Sequence, residues 1–245
     1  MKKVWVTLTE PSAGRLGSVI TDAGLVAFVA PATEIRMLPW EIPSETPKRL
    51  VFLSQHAATG FLRVFERCLP EVQHRLLEDS SVLAVGQRTA GLLRDAGLEA
   101  RSPGNENSEG LLALRELIPQ NQGGLLHSSD VVWLLGGQEG RNTIYDALVQ
   151  ECELTRCDLY QRHDAQLPQL DTETIHSIVV GSIHGLERAA SHWQQCGGSK
   201  EVHIVAPSER VQQQALQLGF NSSFNAQGST PDAFVRRLKD QLMDS

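Results

Sequence analysis

The chain has 245 residues, 41% of them hydrophobic and 21% charged, with a net charge of −7. That is enough for one large domain or two small ones, each with its own core. The mild acidity, with both signs interspersed, excludes a general nucleic-acid or membrane-surface binder.

The opening "MKKVWVTLTEPS" holds only a brief apolar run, so it reads as a strand and not as a signal peptide, and no run is long enough to span a bilayer. A cytoplasmic protein is expected. The first strand is "KVWVTL" (3–8) and the second "LVAFVAP" (25–31). The polar stretch "TEIRMLPWEIPSETPKR" (33–49) reads as a crossover. The strand "RLVFLS" (49–54) follows, then a helix pattern over 57–69 and the strand "SVLAVG" (81–86). A second helix pattern stops at Gly97. Next come the strand "VVWLLGG" (131–137), a helix pattern over 141–152, and the strand "ELTRCDLYQR" (153–162). The segment 161–174 reads as a linker, and "SIVVGS" (177–182) and "EVHIVAP" (201–207) as the last strands. This alternation predicts α/β architecture, with parallel sheets covered by helices on both faces.

Three pairs of segments echo one another. "LVFLSQHAATGFLRVF" (50–65) resembles "IVVGSIHGLERAASHW" (178–193), matching Ser54 with Ser182 and His56 with His184. "VGQRTAGLLRDAGL" (85–98) aligns with "PSERVQQQALQLGF" (207–220), matching Arg88 with Arg210 and Gly97 with Gly219. "TEPSAGR" (9–15) aligns with "LGGQEGR" (135–141), matching Gly14 with Gly140 and Arg15 with Arg141. The echoes imply two domains of one design. A tandem split near residue 125 and an inserted middle between two linkers both satisfy them.

Each echo puts small or polar residues just after a strand, and parallel sheets bind ligands outside the carboxyl ends of their strands. Thr9, Ser54, Gly86 to Thr89, Gly136 to Arg141, Ser182 and Ser208 therefore belong at ligand-facing edges. Many helix N-termini gathered at such edges suit a polyanion. The plainer alternatives are helix caps for Ser54, Ser182 and Thr89, a tight turn for Gly86, and surface ion pairs for Arg15 and Arg141. Tyr160, at the end of its strand, offers a hydroxyl for acid catalysis. Cys68, Cys152, Cys157 and Cys196 form no C-x-x-C pair, and the histidines have no metal-ligand spacing, so no metal site is expected. Phosphate-loop, dinucleotide and nucleophile-elbow motifs are absent.

Taken in order, "VFLSQHA" (51–57), "VGQRTAGLLRDAG" (85–97), "SEGLLALREL" (108–117), "GQEGRNTIYDAL" (137–148), "CDLYQR" (157–162) and "VVGSIHGLER" (179–188) resemble the uroporphyrinogen-III synthase family. The resemblance implies two flavodoxin-like α/β domains joined by a two-stranded linker, with a cleft between them. Residues 1–35 with 165–245 would form one domain and 39–160 the other, with linkers at about 36–38 and 161–164. It further implies a cofactor-free, metal-free cyclisation of hydroxymethylbilane, a linear tetrapyrrole with eight carboxylates. The last pyrrole ring is inverted and water is lost. Tyr160 matches the family's tyrosine and is the candidate acid. Ser54, Gly86, Thr89, Gly140, Arg141, Ser182, Ser208 and Arg210 are the candidate substrate contacts, and Val211 stands where the second motif copy often has threonine. A monomer supplied with substrate by the upstream deaminase is expected. A non-enzymatic two-domain binding protein for a small polyanion is the competing reading; it would share the polar strand ends but have no need of Tyr160.

Overall fold

A computed structural model describes residues 2–78, 80–138 and 142–243, and the side chains of 2–78, 80–138 and 142–240. The chain divides into two compact units, residues 1–35 with 163–245, and residues 36–162.

The first unit contains β1 (Lys3–Val6), α1 (Ser12–Asp22), β2 (Val26–Val29), β9 (Ile175–Val179), α7 (Ile183–Gln195), β10 (His203–Ala206), α8 (Glu209–Gln217), β11 (Ser223–Asn225) and α9 (Pro231–Met243). Its sheet has the order β11-β10-β9-β1-β2, with every neighbouring pair parallel. Counted within the unit, this is the flavodoxin order 2-1-3-4-5. Successive side chains of a strand face opposite ways, and here both faces are apolar. Trp5, Ile178 and Ile204 pack beneath α7 and α8; Val4, Val6, Val179 and Val205 pack beneath α1 and α9. The Trp5 indole N–H is satisfied by the Ala30 carbonyl at 2.8 Å, which lets this large side chain sit wholly in the core.

The second unit contains β4 (Arg49–Phe52), α2 (Gln55–Phe65), α3 (Pro70–Leu77), β5 (Ser81–Ala84), α4 (Gln87–Asp95), β6 (Ala100–Arg101), α5 (Ser108–Leu112), β7 (Val131–Gly137), α6 (Thr143–Leu148) and β8 (Glu153–Asp164). Its sheet runs β3-β8-β7-β4-β5-β6, where β3 is Thr33–Met37. β3 and β8 are also the strands in which the chain crosses the unit boundary. Leu50, Phe52, Val82, Trp133 and Leu135 face α2 and α4, and Val51, Leu83, Val132 and Leu134 face α5 and α6. Arg49 is buried at the start of β4. Its guanidinium donates to Asp130 at 2.7 Å and to the carbonyls of Leu125 and Glu116, so the charge is paired and hydrogen-bonded.

The helix expected over 57–69 is α2, which already ends at Phe65, and a second helix, α3, follows it from Pro70. Leu69 is extended (ψ 147°) because it precedes Pro70, and Pro70 then opens α3 at a position where its missing N–H costs nothing. β3 lies in the stretch expected to be a polar crossover, and β6 and β11 were not anticipated. No helix among the described residues is long and apolar enough to cross a membrane.

Candidate active site

In each sheet the strand order reverses direction once, which opens a crevice beyond the strand ends at that point. In the first unit the reversal lies between β1 and β9, in the second between β4 and β7. The residues just beyond these four strands are Thr7 to Glu10, Val180 to Ser182, Leu53 and Ser54, and Gln138. Of the sequence-derived set, Thr9, Ser54, Gln138 and Ser182 fall at the two switch points, while Gly86, Thr89, Ser208 and Arg210 follow the neighbouring strands β5 and β10.

Ser54 is the N-cap of α2, its hydroxyl accepting from Ala57 N at 3.1 Å. The same hydroxyl donates to the Tyr160 phenol oxygen at 3.1 Å. Tyr160 comes from β8, and its ring meets His56 edge-on at 5.3 Å between centroids. Gly137, at the end of β7, lies against the same ring.

The first unit repeats the construction without the tyrosine. Ser182 caps α7 by accepting from Gly185 N at 3.1 Å. His184 Nε2 lies 3.0 Å from an Asp164 oxygen, and Arg188 lies 3.4 Å from the other. Thr9 and Thr33 share a hydroxyl–hydroxyl bond of 2.7 Å beside the end of β1.

Two helix starts already hold a carboxylate of the chain itself. Glu106 accepts from Gln87 N at 3.1 Å at the head of α4, and Glu10 accepts from Gly14 N at 3.0 Å in the first turn of α1. Gly86 is extended (φ −158°), so its backbone does not require glycine. Its missing side chain instead leaves the space that the Glu106 carboxylate fills. Helix amides at strand ends in both units thus bind carboxylates.

Ser208 stands at the N-cap of α8 with no side-chain capping bond, and Arg210 is exposed in the first turn. Thr89 differs from the expectation. It is neither a cap nor exposed, because it is the third residue of α4, on the face turned to the core, and is only 4% accessible. Gly140 and Arg141 lie outside the described residues. Glu106 has no role in the sequence reading, and Gly137 stands there only within the ligand-facing run Gly136 to Arg141, with no link to Tyr160. Two glycines closing an apolar strand are the usual mark of a bulge or a close approach, but nothing local points to Glu106, nineteen residues from its partner.

Burial pushes the thiols of Cys157 and Cys152 up to about 12 and about 11, so neither supplies a thiolate at neutral pH. The chemistry on offer is a phenol, serine hydroxyls, imidazoles and helix-start amides.

The family model described as uroporphyrinogen-III synthase HemD matches residues 15–236. The chain belongs to the uroporphyrinogen-III synthase family. Among solved structures, a uroporphyrinogen-III synthetase from Helicobacter pylori matches with a TM-score of 0.64 at 13% identity, over 99% of this chain and 100% of that one. A mutant uroporphyrinogen III synthase from Thermus thermophilus matches with a TM-score of 0.60 at 13% identity, over 100% of both chains. At that identity the two synthase structures speak to the fold. No curated protein matches the chain in sequence.

Proposed function

We propose that this uroporphyrinogen-III synthase family member converts hydroxymethylbilane to uroporphyrinogen III, with Tyr160 as the acid. Family membership supplies the reaction. The observation that carries the residue assignment is the Tyr160 phenol, held by Ser54 at the switch point of its sheet.

Hydroxide is a poor leaving group, so the substrate's hydroxymethyl oxygen needs a proton as its bond to carbon breaks. A phenol O–H placed against that oxygen can give that proton. Water leaves, and the positive charge spreads over the adjoining pyrrole. The last ring then attacks through its substituted carbon, forming a spiro intermediate that reopens and closes with the ring inverted. Loss of a ring proton restores aromaticity, and the phenolate can take that proton back. The substrate stabilises its own cation, so the protein's main work is to hold a long polyacid in one conformation.

Helix-start amides suit that task. They present N–H donors and the positive helix ends, as their hold on Glu10 and Glu106 illustrates. Ser182, Ser208 and Arg210, with the backbone after β1, β4 and β5, are assigned to the substrate's carboxylates. The protein acts as a cytoplasmic monomer on substrate from the preceding deaminase.

The test is the product isomer. Hydroxymethylbilane closes by itself to the type I isomer, so freshly prepared substrate incubated with the protein should yield type III. Type I product alone would overturn the reading in favour of a binding protein. Tyr160→Phe removes one hydroxyl and should lower turnover by about a hundredfold, with the melting temperature close to that of the parent.

A further inference from the structure

We infer that Ser54, Gly137 and a bulge in β8 form a device that aims the Tyr160 phenol, and that Ser54 serves catalysis through the tyrosine and not by touching substrate. The inference rests on the reading of Tyr160 as the acid.

The bulge is visible in the pairing of β7 with β8. Gly136 stands opposite Asp158, and Gly137 opposite Tyr160, so Leu159 is passed over. In an unbroken strand Cys157 and Leu159 would share one face, and Tyr160 would point to the other. The extra residue resets the alternation. Cys157, Leu159 and Tyr160 all lie on the side of the sheet that carries α2. The Gln138 N–H closes the bulge on the Tyr160 carbonyl at 2.9 Å.

Gly137 supplies the room. A Cβ at that position would lie 2.6 Å from two carbons of the Tyr160 ring and 3.1 Å from the phenol oxygen. Any side chain there would push the ring off its seat.

Ser54 supplies the direction. A serine has one proton to donate and two lone pairs to accept with. Ala57 N–H uses a lone pair, and the proton goes to the Tyr160 oxygen. The phenol's own proton is thereby left to point away from Ser54, toward whatever lies beyond the strand ends. A chain of donors runs from the α2 amide through Ser54 to Tyr160. Ser182 shows that a serine at this position can cap its helix with no tyrosine beside it, so the bond to Tyr160 is additional to capping.

Three substitutions at Ser54 separate the roles, read as steady-state kcat and KM for type III product with the full chain. Ser54→Thr keeps both the acceptor and the donor. Ser54→Asp keeps the cap but has no proton to give at neutral pH. Ser54→Ala loses both. Aiming through Tyr160 predicts that kcat falls about tenfold in both the Asp and Ala variants, with KM within about twofold, and that Thr retains parental kcat. Gly137→Ala, which leaves the cap intact, should lower kcat in the same way; it carries the test should Ser54→Asp fail to melt cooperatively. Parental kcat in Ser54→Asp would reduce Ser54 to a cap, and a raised KM with parental kcat in Ser54→Ala would make it a substrate contact. Either result overturns the inference. Parental turnover in Tyr160→Phe would instead overturn the acid reading on which it rests.

Discussion

Thr89 and Val211 occupy the third position of α4 and α8, the helices that follow β5 and β10. Both side chains face the core, with accessibilities of 4% and 2%. Threonine and valine have almost the same shape, and a buried hydroxyl exchanged for a methyl can be nearly neutral when no partner is left unsatisfied. The position is therefore one of packing, and the two residues are alternative fillings of it. Thr89→Val should keep type III turnover within about twofold of the parent and leave the melting temperature undiminished. A loss of turnover at unchanged melting temperature would return the hydroxyl to the substrate. At this scale the sequence was most informative where a residue's role follows from its place at a strand end. Ser54 and Ser182, which cap α2 and α7, are such residues, whereas Tyr160, expected at the end of its strand, lies inside β8, which runs on to Asp164. It was least informative at Glu106 and Gly137, whose partners come from elsewhere in the chain.

At the scale of elements, helix ends were more legible than strand edges. Gly97 and Gly219, matched in the sequence, follow α4 and α8 with φ of 85° and 86°. In that left-handed region glycine escapes the clash that a Cβ makes with its own backbone. Nothing lies within 4 Å of a Cβ placed on Gly97, so only its backbone conformation resists substitution. Gly97→Ala should thus cost about 1–2 kcal/mol, read as a shift in the denaturant midpoint with unchanged slope. The strands that went unread are short or polar. β6 has two residues and β11 three, too few to show a period, and both lie at sheet edges, where brevity limits unwanted pairing. β3 does alternate, with Thr33, Ile35 and Met37 more buried than Glu34 and Arg36. Its charged residues and the prolines after it masked that pattern.

Over the whole molecule, the echoes acquire a structural meaning. Matching segments by sequence pairs β4 with β9, β5 with β10, and β7 with β1. Apart from the edge strand β3, the two sheets then read β8-β7-β4-β5-β6 and β2-β1-β9-β10-β11, the same spatial order position by position. One is a circular permutation of the other, so each unit contains one copy of every echoed element. Such an arrangement is invisible to a reading that expects repeats in tandem. Shared order also fixes which sheet end carries ligand-binding groups, and the opposite end is free to differ. There, at the amino ends of β9 and β10, His176 and His203 stack edge-on at 4.6 Å between centroids. Burial holds both imidazoles below their usual value near 6.5; Lys2 adds to the effect on His176, and His176 and Lys2 add to it on His203. The unfolded chain binds these protons more readily than the folded one. Their contribution to stability is therefore complete above about pH 6.5 and is lost as pH falls through the lowered folded values. Thermal melts between pH 7.5 and 5 (a range of about two and a half units around the unperturbed histidine value) should show the parent losing melting temperature more steeply than a His176→Gln, His203→Gln double variant. Parallel curves would assign the acid sensitivity to other groups. Because both histidines lie at the amino ends of β9 and β10, the end of their sheet opposite Ser182 and Ser208, the double variant should retain parental type III turnover at neutral pH.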